Sequence, residues 1–231
     1  MSRYRISDSG FVARGGNGPQ RDKPQDWVVW HFTHIENLKS IAHEGLIKCS
    51  SEIEPNRNVA NPDVKARRAR RKVDPDEDYP TSFVNDHVPF YIAAKSPMLY
   101  SVTNGHKGYD GGCESLIFFG SFLGDIIESR RIWCASDSNA ATSYVKFSRD
   151  EKNLGSFVDF DLLLQRYWGK TSEDPDRPGR RAAEILVLKE FPVDLISLVV
   201  AKNASMLEKA KLNFEKAGTE FDFRCEPRIY F

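Results

Sequence analysis

A carboxylate at the head of an unbroken apolar run is the feature that most restricts this chain. Glu184 is followed by Ile185-Leu-Val-Leu188 and preceded by Arg180-Arg-Ala-Ala183. The apolar run reads as a buried strand. A carboxylate that opens such a strand is costly unless it emerges at the strand end or meets a cation. Two accounts follow: an ion pair with Arg180 or Arg181, or a functional carboxylate held at the edge of a core. Two further stretches favour the second, His31-Phe-Thr-His34 and Val88-Pro-Phe-Tyr-Ile-Ala-Ala-Lys-Ser-Pro-Met-Leu-Tyr100. With Glu184 they supply a histidine, an aromatic floor and one strand-borne carboxylate. Such a set suits a pocket that holds a flat cofactor ring and stabilises a positive charge beside it.

The 231 residues, 40% of them apolar, are enough for one sizeable core. Residues 1–25 are polar, rich in Gly, Arg and Pro, and show no apolar periodicity. They read as a mobile or loosely docked arm, leaving 26–231 as a single domain. Trp27–His31 is the first strand, ending at His31. Thr33 and Glu36 have capping-box spacing for a helix that carries Ile35, Leu38, Ile41 and Ala42 on one face and closes at Gly45. Residues 48–86 read as a long, partly ordered loop with a short helix at Val64–Lys72, and loops of this length are either functional or disordered. Phe90–Ala93 is a strand, and Ser96-Pro97 supplies the N-cap and first residue of a helix over Met98–Thr103. Further strands are expected at Ser115–Phe119, Arg131–Cys134, Glu184–Lys189, Ile196–Ala201 and Phe221–Tyr230. Helices are expected at Asn139–Phe147 and Asp159–Trp168, with another from Ser205 to Gly218. Strands and helices mix without a regular βαβ alternation, which predicts an α+β fold.

Several function classes lose support at once. Lys plus Arg equals Asp plus Glu, so no whole-molecule field steers the chain to nucleic acid, and a basic site has to be local. No apolar run approaches the roughly 20 residues that span a bilayer, and the N-terminal residues lack a signal-peptide core. The chain reads as cytosolic. Cys49, Cys113, Cys134 and Cys225 are too scattered for a zinc site or a disulfide scaffold and read as reduced packing residues; no bound metal is expected. GxGxxG after a strand, Walker A, HExxH and GxSxG are all absent.

Each remaining candidate has a plain structural alternative. His31 and Thr33 can contact a ribose together, or His31 can merely satisfy the cap of the next helix. Tyr91 sits on the opposite face of its strand from Phe90, so one ring enters the core while the other lines a pocket. Lys65-Ala-Arg-Arg-Ala-Arg-Arg-Lys72 attracts phosphates or forms a solvated basic face, partly offset by Asp74-Pro-Asp-Glu-Asp78.

Taken in order, HFTH, KARRARRKV, DHVPFYIAAKSPMLY, YDGG, WCASDSNAA and RRAAEILV resemble the DarT family of DNA ADP-ribosyltransferase toxins, from about Trp27 to Phe231. The resemblance implies an ADP-ribosyltransferase fold, a split mixed or antiparallel β-sheet core flanked by helices with long substrate-binding loops. It implies that Glu184 and Arg68 are catalytic, and that His31, Thr33 and Tyr91 contact NAD as co-substrate, with Ser96 and Leu99 as pocket walls. A loop between about Gly120 and Arg181 would present the DNA base, and Arg67, Arg70, Arg71, Tyr167 and Trp168 would hold single-stranded DNA by charge and stacking. Thymidine is the implied acceptor; guanine in DNA, RNA, or a non-catalytic nucleic-acid-binding role are the alternatives. A ring nitrogen becomes accessible only in an unpaired base, which fits a single strand. The implied partner is the macrodomain antitoxin DarG. One departure stands out: some family members carry a histidine near Ser138-Asn139, and this chain has none.

Overall fold

The computed structural model describes residues 4–215 and 221–231. Its elements in chain order are β1 (Tyr4–Ile6), β2 (Val12–Arg14), β3 (Trp27–His34), α1 (Leu38–Glu44), β4 (Leu46–Lys48), α2 (Pro62–Arg68), β5 (Lys72–Val73), β6 (Ser82–Phe83), β7 (His87–Tyr91) and α3 (Pro97–Asn104). There follow β8 (Leu116–Phe122), α4 (Leu123–Glu128), β9 (Trp133–Ser136), β10 (Phe147–Ser148), α5 (Leu154–Phe157), α6 (Phe160–Leu164), α7 (Arg177–Arg181), β11 (Glu184–Leu188), β12 (Glu190–Pro192), β13 (Leu198–Ala201), α8 (Ala204–Phe214) and β14 (Asp222–Cys225). A ten-stranded sheet runs β10-β9-β11-β7-β3-β8-β13-β14, with β2 added to β3 and β1 to β2. All its pairs are antiparallel except β13 with β14. The expected α+β architecture with a mixed, split sheet is the one observed.

The split lies between β3 and β7. Along its other edge β3 pairs with β8 from Val28↔Phe122 to His34↔Leu116, whereas β3 and β7 meet only at Trp30↔Tyr91. Pro89 has no N–H to give a ladder. In place of backbone pairing, the His31 ring reaches across to the Pro89 carbonyl at 3.0 Å. Alternation along β7 then does the sorting. Val88 and Phe90 enter the main core, where Phe90 packs on Phe191 with ring centroids 4.6 Å apart, while His87, Pro89 and Tyr91 face the opening. Burying Phe90 in full contributes about 2–3 kcal/mol, so a one-residue slip of β7 is strongly disfavoured.

Several sequence expectations need correction. Strand β3 continues to His34 because β8 pairs with it that far, so His31 lies within the strand, and Thr33 is no cap. The cap is His34, whose Nδ1 accepts from the Glu36 amide at 3.3 Å; Gly45 does close α1, at φ 68°. From residue 4 onward the arm is not loosely docked: β2 pairs with β3, Phe11 and Ser9 are buried, and Ser7 and Ser9 hydroxyls bond the Phe11 amide. Residues 139–147 form turns and the edge strand β10, not a helix. Asn139 and Thr142 side chains bond nearby backbone, and Asp137 accepts from the Lys146 amide, so local bonds displace a helical ladder. The helix expected over 159–168 stops at Leu164, and 221–230 is a strand only to Cys225, followed by a 3-10 turn. Helix α8 is capped by Asn203, not at Ser205; its expected stop at Gly218 lies outside the described residues. Among the described residues no helix is long and apolar enough to cross a membrane.

Candidate active site

The open side of the split is a cavity of about 330 Å³, lined from β3 by His31, Phe32 and Thr33, from β7 by His87, Pro89 and Tyr91, and from α2 by Arg68. Pro97, Met98 and Ser101 of α3 complete that end, and the 53–61 segment lies across it. Asn37 holds this segment down, its amide oxygen accepting from the Arg57 N–H at 2.8 Å and its nitrogen donating to the Arg57 carbonyl at 2.9 Å. The same nitrogen donates to Thr33 Oγ1 at 2.9 Å. The volume lies in the range of small-molecule sites, about 300–1,000 Å³.

Glu184 opens β11 directly opposite Tyr91 and is 1% exposed. Its cationic partner is neither adjacent arginine but Arg68, whose Nη1 donates to both carboxylate oxygens at 3.0 and 2.9 Å. The Ala140 amide donates to the same carboxylate at 3.3 Å, and the Glu184 amide donates to Ser136 Oγ at 3.0 Å. Glu184 does not itself line the cavity: Arg68 stands between the carboxylate and the open space. Arg68 Nη2 is buried with no partner among the described residues. An orphaned guanidinium donor at a cavity wall carries a desolvation cost unless a ligand oxygen accepts from it, so the residues present fit an oxygen-rich dinucleotide.

The neighbouring groups stay neutral. Burial lowers the His31 pKa to about 4, only partly opposed by its bond to Pro89. Because Nδ1 must be the protonated nitrogen to bond a carbonyl, Nε2 is left as an acceptor. Burial likewise lowers His87 to about 4, with the Arg68 charge acting in the same direction. The Tyr91 phenol is raised by burial first and then by the Glu184 charge; its hydroxyl donates to Met98 Sδ at 3.2 Å. Tyr91 also stacks on Phe32, 6.1 Å between centroids.

The remaining sequence candidates separate. Ser96 caps α3, accepting from the Leu99 amide at 3.2 Å, and Leu99 is fully buried in the adjoining core; neither lines the cavity, because both face inward from the first turn of the helix. Arg67 and Arg70 are exposed, but Arg71 is not a free surface cation, since its Nη2 donates to the Val145 carbonyl at 3.0 Å. Tyr167 is 76% exposed and Trp168 is half-buried against Tyr100. Sequence reading missed Asn37, Arg57, Met98 and Asn139 as cavity residues. No pattern in the sequence marked them: Asn37 reaches Thr33 across the turn that follows β3 and not along one helix. Among the described residues no group of three or more His, Cys, Asp or Glu gathers as a metal site.

The family model for "ssDNA thymidine ADP-ribosyltransferase, DarT" matches residues 30–231. A DNA ADP-ribosyl transferase of Mycobacterium tuberculosis is 48% identical over 231 residues, 100% of this chain and 100% of the relative. The structure of Thermus sp. 2.9 DarT in complex with ADP-ribosylated ssDNA matches at a TM-score of 0.78 and 27% identity, covering 88% of this chain and 96% of the other. That of Thermus sp. 2.9 DarT in complex with NAD+ matches at 0.78 and 25% identity, covering 92% and 99%. With the split sheet, the Arg68–Glu184 pair at its cavity and a family match over most of its length, the chain belongs to the DarT family of ssDNA thymidine ADP-ribosyltransferases.

Proposed function

We propose that this protein is a toxin that transfers ADP-ribose from NAD to thymidine in single-stranded DNA, with residues 26–231 as its catalytic domain, Glu184 and Arg68 as its catalytic residues and His31, Thr33 and Tyr91 as NAD contacts. The observation that carries the reading is the buried Arg68–Glu184 pair at the wall of the split, with one guanidinium nitrogen left over for substrate. His31 Nε2 and the Thr33 hydroxyl are suited to ribose hydroxyls, and the Phe32–Tyr91 stack forms an aromatic wall for the nicotinamide. The bond from the ribose C1′ to the nicotinamide nitrogen breaks, its electrons leaving with neutral nicotinamide, and C1′ becomes cationic. The Glu184 carboxylate offsets that charge. Because Arg68 covers the carboxylate, it must swing partly aside, toward the dinucleotide, as the oxygen is used. Thymine N3, the ring nitrogen not bonded to its sugar, forms the new bond to C1′ and its proton passes to Glu184.

Mass spectrometry of oligonucleotides incubated with NAD tests this. Transfer is expected on thymidine-containing single strands, and Glu184→Gln should lower it at least about a thousandfold, within the range for losing electrostatic and acid–base assistance together. Label on the protein alone, or on strands that lack thymidine, defeats the reading; guanine or RNA as acceptor would show in the same spectra. The expected setting is the cytoplasm, and the expected partner is the macrodomain antitoxin DarG.

A further inference from the structure

Exposed aromatic rings are costly to leave in water, and Tyr100 of α3 stands at the centre of a group of three. Tyr100 is 51% exposed, Tyr167 76% and Phe231 37%. Tyr100 packs edge-to-face with Phe231 at 5.3 Å and 81°, and with Trp168 at 6.0 Å and 87°. Two neighbours therefore hold its ring while half of its surface stays open. The segment carrying Trp168 is braced, because the Arg177 guanidinium donates to the Tyr167 carbonyl at 3.0 Å. Cations stand beside the rings: Lys95 Nζ is 6.0 Å from the Phe231 centroid, and the Arg166 guanidinium lies 5.3 Å over Tyr167. Among the described residues neither forms an ion pair within 4 Å. Burial, and after it the charge of Arg166, lower the Lys95 pKa, with Asp8 opposing; crowding of this kind is relieved by a phosphate. The cluster and the cavity share one helix: α3 gives Pro97, Met98 and Ser101 to the cavity wall and carries Tyr100, which is not part of that wall, on another face.

We propose that Tyr100, Trp168 and Phe231 form a stacking shelf for nucleobases next to the modified thymidine, with Lys95 and Arg166 taking the phosphates between them. Exposed aromatic rings beside cations that join no ion pair among the described residues are what a single strand needs, because every base has a face to stack and every linkage a charge. The proposal rests on the DNA-modifying function above and adds where the flanking nucleotides lie.

The test is fluorescence anisotropy of a labelled single strand of about ten nucleotides with one thymidine, over a range of salt, on the full chain. Tyr100→Ala should weaken binding about tenfold, the effect of losing one stacked base, and leave the salt slope unchanged, whereas Tyr100→Trp restores affinity. Lys95→Ala should instead lower the slope by about 0.7, one phosphate's share for a single strand. An abasic strand of equal length should bind wild type and Tyr100→Ala alike. Unchanged affinity in Tyr100→Ala, or an equal loss on the abasic strand, overturns the shelf; in the first case the patch serves another partner. Failure of the wild-type protein to modify any single strand would sink the underlying function instead, and is read before the variants are compared.

Discussion

The two histidines around the split illustrate how burial sets what a residue can do. His31 donates from Nδ1 to the Pro89 carbonyl, and His87 donates from Nδ1 to the Phe83 carbonyl at 2.8 Å while its Nε2 accepts from Tyr79 at 3.0 Å. Both are held neutral, with pKa values lowered to about 4. Their unfolded values are near 6.5, so the unfolded chain binds more protons between pH 6.5 and 4. Stability is therefore full above about pH 6.5 and declines as pH falls toward 4, by on the order of 2–3 kcal/mol for each histidine. Urea unfolding at pH 7 and 4.5 should show this loss, and His87→Gln should shrink it; a variant with the wild-type pH slope would refute the assignment. The same scale decides the partner of Glu184. Arg180, four residues before it in sequence, is taken by Asp159 at 2.9 Å and Asp174 at 2.6 Å, and Arg181 by carbonyls, which leaves the carboxylate to Arg68, 116 residues away.

At the level of elements, Arg181 is the tie between segments that the sequence presents as unrelated. It is 1% exposed and donates to the carbonyls of Ser9, Lys95, Leu162, Leu163 and Gln165. Burial lowers its pKa to about 9. The carbonyls of Leu162 and Leu163 belong to the end of α6, where a cation is favoured by the helix dipole. Arg181→Met leaves these acceptors unpaired and should cost about 3 kcal/mol or more, measured by urea midpoint, with residues 4–14 becoming the first protease-sensitive segment. An unchanged midpoint would show that the carbonyls find other donors. This tie also explains why the N-terminal arm misreads as mobile: β1 and β2 are three residues each, too short for a periodicity, and are fixed by pairing and by Arg181 at Ser9. Helix α3 was legible because its signals are local, Ser96 as cap and Pro97 as first residue. Residues 139–147 were not, because side-chain bonds to nearby backbone take the place of a helical ladder there.

For the whole molecule, a formal charge of zero means that any grip on DNA comes from local groups. Of the basic run, Arg68 is committed to Glu184, Arg71 to Val145 and Lys65 to Glu54 at 3.1 Å, while Arg67 and Arg70 are exposed. Replacing both Arg67 and Arg70 by Ala should lower the salt slope of single-strand binding by about 1.4, about 0.7 per phosphate. Arg71→Ala should leave that slope alone and lower the melting temperature. Equal slopes in all three proteins would remove this basic run from the DNA path.

Alternation, caps and apolar runs are properties of neighbouring residues, so the chain by itself determined the α+β class, the placing of Phe90 and Tyr91 on opposite faces of their strand, the capped α3 and the buried strand behind Glu184. Tertiary structure alone decided which cation meets that carboxylate, which arginines stay free, and that Ser96 and Leu99 face the core and not the cavity. Those outcomes depend on groups far apart in sequence competing for the same few buried positions. Sequence names the competitors, and only the packed molecule settles which of them reaches each position at hydrogen-bonding distance.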